Sequence, residues 1–423
     1  MPPPPKSRTG LFAGLAVVLV LLLAGGGTGA FLLLKRADNT AGSTSEASPS
    51  SSDPSTSSSG LLQQQPGEGP PRRYGNTAVY DACSLLTMAD LANLGITLTD
   101  QSPVGHDYVD IDVPADKAIP QSMLDSLTHC SYTMKSLEWV QVFVYQPPFT
   151  AEKDMDSRKG RPERSGATVR QADGFSVANY QDRKNETWDI SLWQQDLIVE
   201  VAFQTGKRQP YGSLDAKAFA DKLESLVKAA IQKGPTAPMR HIYPEPFANK
   251  FKDPCDVASA EAYRKSYPNA GLPALVKTQF HVMAADTPME RHPESALQGG
   301  ALCQRHNIAP EASSDKENYR MLEASLKMWD KPQAAIDRNA YQCDPADKHP
   351  FGPPVAITPS VGTGQSCMSN IRIDWVLDFQ LGDVNVSVQS YHGGVSSTQP
   401  PVEGLRDELL PAAKHIAEQG VKK

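Results

Sequence analysis

The 423-residue chain has no G-x-S-x-G, no H-E-x-x-H and no cysteine before position 83. The first two absences remove common signatures of a serine hydrolase and of a zinc peptidase. The third removes acylation of a lipoprotein type, because no thiol closely follows the apolar run that begins at Leu11. A basic patch is missing as well. Net charge is -7, and the first seventy residues are balanced, with four basic and four acidic groups, so the acidic excess belongs to residues 71–423. Phosphate backbones and anionic lipid attract positive surfaces, so nucleic acid is not an expected partner.

The hydrophobic share is 39%, and the shortfall sits near the N-terminus. Residues 11–34, "LFAGLAVVLVLLLAGGGTGAFLLL", carry no charge. As a helix they would extend roughly 36 Å, enough for a bilayer core of about 30 Å. A cleaved signal ending after Ala30 is the rival reading, but it would leave "FLLL" on the mature chain, so an uncleaved single-pass anchor is expected. Residues 1–10 then form a cytoplasmic stub. Residues 35–73 turn to Ser, Thr, Pro, Gly and Gln, a composition that cannot offset its ordering entropy, and are expected to form a disordered linker. All six cysteines, Cys83, Cys130, Cys255, Cys303, Cys343 and Cys367, follow this tether. The cell membrane is the expected location, with the C-terminal part outside, where disulfides persist.

The rest of the chain reads as one plan written twice. Cys83 is followed by a cysteine 47 positions on, and Cys255 by one 48 positions on. After each first cysteine comes a short amphipathic stretch, and after each second one the apolar period switches to two. "LEWVQVFVYQ" corresponds to "YRMLEASLKMW", where Leu322, Ala324, Leu326 and Met328 share one side. "QQDL" at 194–197 and "LGDV" at 381–384 both read as tight hairpin turns. Each copy closes on a helical segment: one is expected from a cap at Ser213 to a stop at Gly234, the other contains Pro411, which predicts a kink or a later start. The fold class expected is therefore α+β, as two similar domains (74–234 and 250–423) joined by a linker (235–249). Each would be an antiparallel sheet packed by a short N-terminal and a longer C-terminal helix. Pairing Cys83 with Cys130 and Cys255 with Cys303 closes loops worth roughly 4 kcal/mol each on a chain-entropy model. Cys343 with Cys367 would staple a Pro/Gly-rich insertion of the second copy, and free buried thiols are the alternative.

"YDACSLLTMADLANLG" resembles the opening of a domain family of unknown function in secreted actinobacterial lipoproteins, whose members begin near D-P-C-x-L-L-T. The first copy matches through Cys83, Leu85, Leu86, Thr87 and Gly95, with Ala82 in place of proline; the second keeps Asp253, Pro254 and Cys255. The resemblance implies a small α+β fold and carries no catalytic residues across. The plan is also similar to extracytoplasmic sensor domains of mycobacterial kinases.

Chemistry is sparse. Cys303 and His306 in "CQRH" have metal-ligand spacing but no second such pair. Ser313–Lys316 matches S-x-x-K without its companion motifs, and "VGTGQS" is not followed by a helix start. Asp107, Asp110, Asp112 and Asp116 form an acidic stretch outside any EF-hand pattern, best read as a solvated loop. Trp139, Trp188, Trp193, Trp329 and Trp375 read as core rather than as a sugar platform. No catalytic residue, cofactor or metal is assigned. The expected function is a membrane-anchored tandem binding or sensor-like module, with an envelope protein or a small molecule as partner. An extracytoplasmic enzyme acting on envelope material and a structural assembly protein are the alternatives.

Overall fold

Wherever the sequence alternates with period two, the chain is extended. The computed structural model describes residues 62–99, 104–121, 124–135, 138–182, 186–204, 211, 214–248, 250–283, 296–308, 319–346, 351–371, 374–392 and 401–423. Three short strands (β1, Gln63–Gln65; β2, Arg73–Tyr74; β3, Thr77–Ala78) lead to helices α1 (Ala82–Leu85) and α2 (Met88–Asn93). Strands β4 (Val104–Val109), β5 (Thr128–Thr133) and β6 (Trp139–Tyr145) follow, then helices α3 (Glu152–Lys159) and α4 (Arg161–Arg164). Next come β7 (Arg170–Ala172), β8 (Phe175–Asp182), β9 (Thr187–Gln194), β10 (Leu197–Gln204) and the long helix α5 (Ala216–Lys233). After β11 (Arg240–Ile242) the plan recurs with α6 (Pro254–Val257), α7 (Ala260–Ser266), β12 (Leu272–Met283), β13 (Gln298–Ile308) and β14 (Arg320–Trp329). It closes with α8 (Pro332–Gln342), β15 (Val355–Ala356), β16 (Cys367–Ile371), β17 (Asp374–Leu381), β18 (Val384–His392) and α9 (Val402–Gln419).

The expectation of two separate α+β domains is overturned. Fourteen strands form one antiparallel sheet in the order β15-β16-β17-β18-β14-β13-β12-β4-β5-β6-β10-β9-β8-β7, with few helices beside it. The reason is an edge. Both β4 and β12 would end a seven-strand sheet with unpaired backbone groups, and they satisfy each other by pairing antiparallel from Leu275↔Val109 to Phe280↔Val104. All described residues belong to one unit, Ser58–Lys423. The expected membrane span at 11–34 lies outside the described residues, among which no helix is long and apolar enough to cross a membrane.

Within this sheet the two halves have the same strand order, and their registers match. Cys130 faces His106 and Val142, just as Cys303 faces Thr278 and Ala324. The correspondence continues outward through Val201 and Val388 to Ile190 and Leu377. His106 and Thr278 are equivalent positions and also face each other across the junction, so a pseudo-twofold axis passes between them. Both hairpins turn over two residues, 195–196 and 382–383, with Gln195 and Gly382 at positive φ.

Local chemistry repeats too. Asp81 and Asp253 cap α1 and α6, two residues before each first cysteine; Thr87 and Ser259 cap α2 and α7, four residues after it. Helix α5 is capped by Asp215; the expected cap at Ser213 lies outside the described residues. Helix α9 starts at Val402 and runs through Pro411, so the proline does not mark its start. The three disulfides join Cys83 to Cys130, Cys255 to Cys303 and Cys343 to Cys367. The last does not staple an insertion: it links the end of α8 to the start of β16, elements whose counterparts in the first half are α3 and β8. Two spans read as linkers also carry strands, because β1, within 35–73, pairs with β11, within 235–249.

The main core lies on one face of the sheet, beneath α1, α2, α5, α6, α7 and α9. The other face is covered toward its two ends, by α3 with Met155 against Tyr145 and Ile198 and by α8 with Ala334 and Ala335 against Trp329, and in part at its centre, where Tyr74, Val113 and Phe149 pack with Val109, Leu275 and Ile308.

Candidate functional site

Strand alternation sends His106, Cys130, Thr278, Cys303 and Arg305 to the helix-covered face, and their neighbours to the other. The helix side contains a polar joint at the pseudo-axis. His106, fully buried, sits 2.5 Å from Asp81 through Nε2, and Asp81 also accepts from the backbone of Ser84 and Met239. Cys83, His106 and His241 bring potential ligand atoms within 4.8 Å of one another. Cys83 is bonded to Cys130, so its sulfur is not the thiolate a metal requires. Gln64 accepts from the Met88 amide, which turns its NH2 toward His241 Nε2 at 3.3 Å and makes that nitrogen an acceptor. Burial, and His106 nearby, push the His241 imidazole well below its ordinary pKa. This cluster reads as a structural joint, an Asp81–His106 pair beside a neutral His241 imidazole.

Arg305 completes that joint. It is 0% exposed, and its guanidinium reaches Ala258 O, Pro273 O, Cys255 O and, at 2.7 Å, the carboxylate of Asp110. A buried cation is tolerable only when its donors are engaged, and here all three nitrogens are. It also ties the first half, through Asp110, to the second.

The opposite face is different. In register across five neighbouring strands lie His129, Asp107, Lys277, Gln304 and Glu323. His129 stacks on Phe143 at 4.5 Å between ring centroids, and its Nδ1 lies 3.5 Å from Asp107 Oδ2. Gln304 donates to Glu323 at 2.7 Å. One pleat away, His306 shares a hydrogen bond with the Tyr319 hydroxyl through Nδ1. Asp107 Oδ1, His129 Nε2 and His306 Nε2 are buried with no partner among the described residues. Burial works to raise the Asp107 carboxyl, but Lys277, with His129 and His306, holds it below its ordinary value. Burial pushes His306 down to about 4, and Lys277 and Arg305 add to that against Asp107. The Lys277 ammonium itself has no ion pair or hydrogen bond among the described residues.

The pseudo-axis makes this row informative. The counterparts of Asp107, His129, Lys277, Gln304, Glu323 and His306 are Gln279, Leu302, Gly105, Ser131, Gln141 and Thr133. On the helix side Val142 and Ala324, Val201 and Val388, and Ile190 and Leu377 are apolar in both halves, while buried His106 and Arg305 have the uncharged mates Thr278 and Tyr132. On the open face every ionisable side chain of the cluster has an uncharged mate. The scaffold is symmetric here and the chemistry is not.

Buried carboxylates fix the flanks. Glu200 lies 3.4 Å from Arg158 of α3 and 3.6 Å from Arg161 of α4; Asp378 accepts from Gln342 of α8 at 3.3 Å and also from Ser369 and Ser387. Burial raises Glu200 despite both arginines.

The residues singled out in the sequence distribute as follows. All six cysteines are in disulfides. Cys303 and His306 point to opposite faces of β13, so "CQRH" cannot converge on one ion. Asp107 joins the open-face row, Asp110 pairs with Arg305, Asp112 accepts from the Arg73 amide, and Asp116 is exposed beside Lys117. Ser313–Lys316 lies outside the described residues. Trp329 is buried, while Trp139, Trp188, Trp193 and Trp375 are half-buried. His129, Lys277, Gln304 and Glu323 carried no motif; aligning the copies on their cysteines and asking where charge changes would have exposed them. Comparison with family models, with curated proteins and with solved structures finds no match.

Proposed function

We propose that this protein is a membrane-anchored, extracytoplasmic binding module that holds a small polar ligand on the open face of its sheet, and that it arose by duplication of one half. One observation carries the reading: the ionisable row His129–Asp107–Lys277–Glu323, with His306, gathers on one face with unpartnered polar atoms and has no charged counterpart in the equivalent row of the other half. Other charges without a charged mate, such as Arg305 and Glu200, are engaged in structural joints, whereas Lys277 has no ion pair or hydrogen bond among the described residues. Recognition accounts for such a row, because a ligand lying near a pseudo-axis needs different chemistry on its two sides. The uncharged run at 11–34 and six cysteines without a free thiol support the anchor and the oxidising location. The resemblance of residues 79–95 to the actinobacterial lipoprotein domains agrees with an envelope setting.

The test is a thermal-shift screen of polar fragments on the full chain and on an Asp107→Asn/Lys277→Gln double variant. A chemical class that stabilises the native chain and not the variant is the expected result. Hits that stabilise both equally would remove this face as the site.

A further inference from the structure

Resting on that reading, we infer that the ligand is a small monocarboxylate bearing hydrogen-bond donors on neighbouring carbons, and that Lys277 receives its carboxylate. Lys277 lies at the middle of the sheet, beside the pseudo-axis, in register with Asp107 on one side and Gln304 on the other. Its ammonium acts on both Asp107 and His306, which puts the charge within the cluster, yet it is engaged by no anion among the described residues. A cation so placed is a handle for a carboxylate or a phosphate.

The neighbours decide between them. Asp107 is one strand away, about 5 Å, and Glu323 two strands away, about 10 Å. Lys277 already offsets Asp107, so each further negative charge in the row is costly; a monocarboxylate brings one and a dianionic phosphate brings two. The same two carboxylates accept hydrogen bonds only, so the rest of the ligand must donate, as hydroxyl or ammonium groups do. Room exists beside the handle because the pseudo-axis mate of Lys277 is Gly105. A Cβ at that position would sit 2.6 Å from Ser131 Oγ, so the surface over β4 stays low and offers a hydroxyl at its rim.

Calorimetric titration of the full chain with D-glucuronate, L-alanine, D-glucose and inorganic phosphate tests this. Glucuronate or alanine is expected to bind, and which of the two binds tells a hydroxy acid from an amino acid. Lys277→Gln should weaken that binding at least tenfold without moving the melting temperature, and Lys277→Arg should restore most of it. Phosphate or glucose binding as tightly as both carboxylates, or carboxylate binding untouched by Lys277→Gln, would overturn the assignment. If glucose binding is then lost in Asp107→Asn, the face remains the site and only the ligand class fails. No saturable binding of any probe overturns the assignment as well, and the fragment screen then decides separately whether the face is a site.

Discussion

Arg305 shows how much one side chain can carry. Its replacement by alanine leaves three buried backbone carbonyls and the half-buried Asp110 without their donor, and breaking such a buried pair costs about 3–5 kcal/mol. Urea unfolding of Arg305→Ala should show that loss, whereas Arg406→Ala, at an exposed ion pair, should change stability by less than about 1 kcal/mol. Two titrating groups, buried His306 and half-buried Asp253, set opposite slopes with pH. His306 is held near 4 in the folded chain against about 6.5 unfolded, so its share of stability is complete above that value and is lost as pH falls toward 4. Asp253 is raised to about 6 by burial, against about 3.9 unfolded, so the folded chain holds the proton longer and stability falls as pH climbs from about 4 to about 6. Asp253→Asn keeps the helix cap and should flatten that fall; His306→Gln should flatten the acid-side loss. Melting temperatures from pH 4 to 7 read both. Neither group was legible as important in the sequence: Asp253 stood out only as part of a cysteine motif, and His306 only as an apparent metal ligand.

At the scale of elements, the alternation of Leu322, Ala324, Leu326 and Met328 was enough to define β14, and the cysteine gaps were enough to pair the halves. Periodicity reports burial of a face, and those faces are buried as the pattern requires. It does not report which edges meet. Nothing in "VGHDYV" or "LPALVKTQFHVM" distinguishes an edge strand from one paired on both sides, so the joining of β4 to β12 was hidden. The open-face row was hidden for the same reason, since its members come from five strands and assemble only once that junction exists. The disulfides offer a graded test. On the chain-entropy model, replacing Cys343 and Cys367 by serine costs about 3.5 kcal/mol, and replacing Cys83 and Cys130 about 4 kcal/mol, with the former confined to the α8–β16 flank. Hydrogen exchange of each double variant should show fast amides near β16 in the first case and near β5 in the second.

For the molecule as a whole, a continuous sheet makes the halves interdependent. Thermal unfolding should give one cooperative transition. Residues 58–234 produced alone would expose the whole length of β4 and should self-associate through it, a result that light scattering would detect; a stable monomer would mean the junction contributes little. The route of the chain into this unit has a further consequence. Leu62 sinks into the helix-side core, and Gln64 on β1 bonds to Tyr132 and Met88 there, on the side away from Lys277. An attachment made at Leu62 itself would therefore load the helix-covered side and leave the face that carries Lys277 unobstructed.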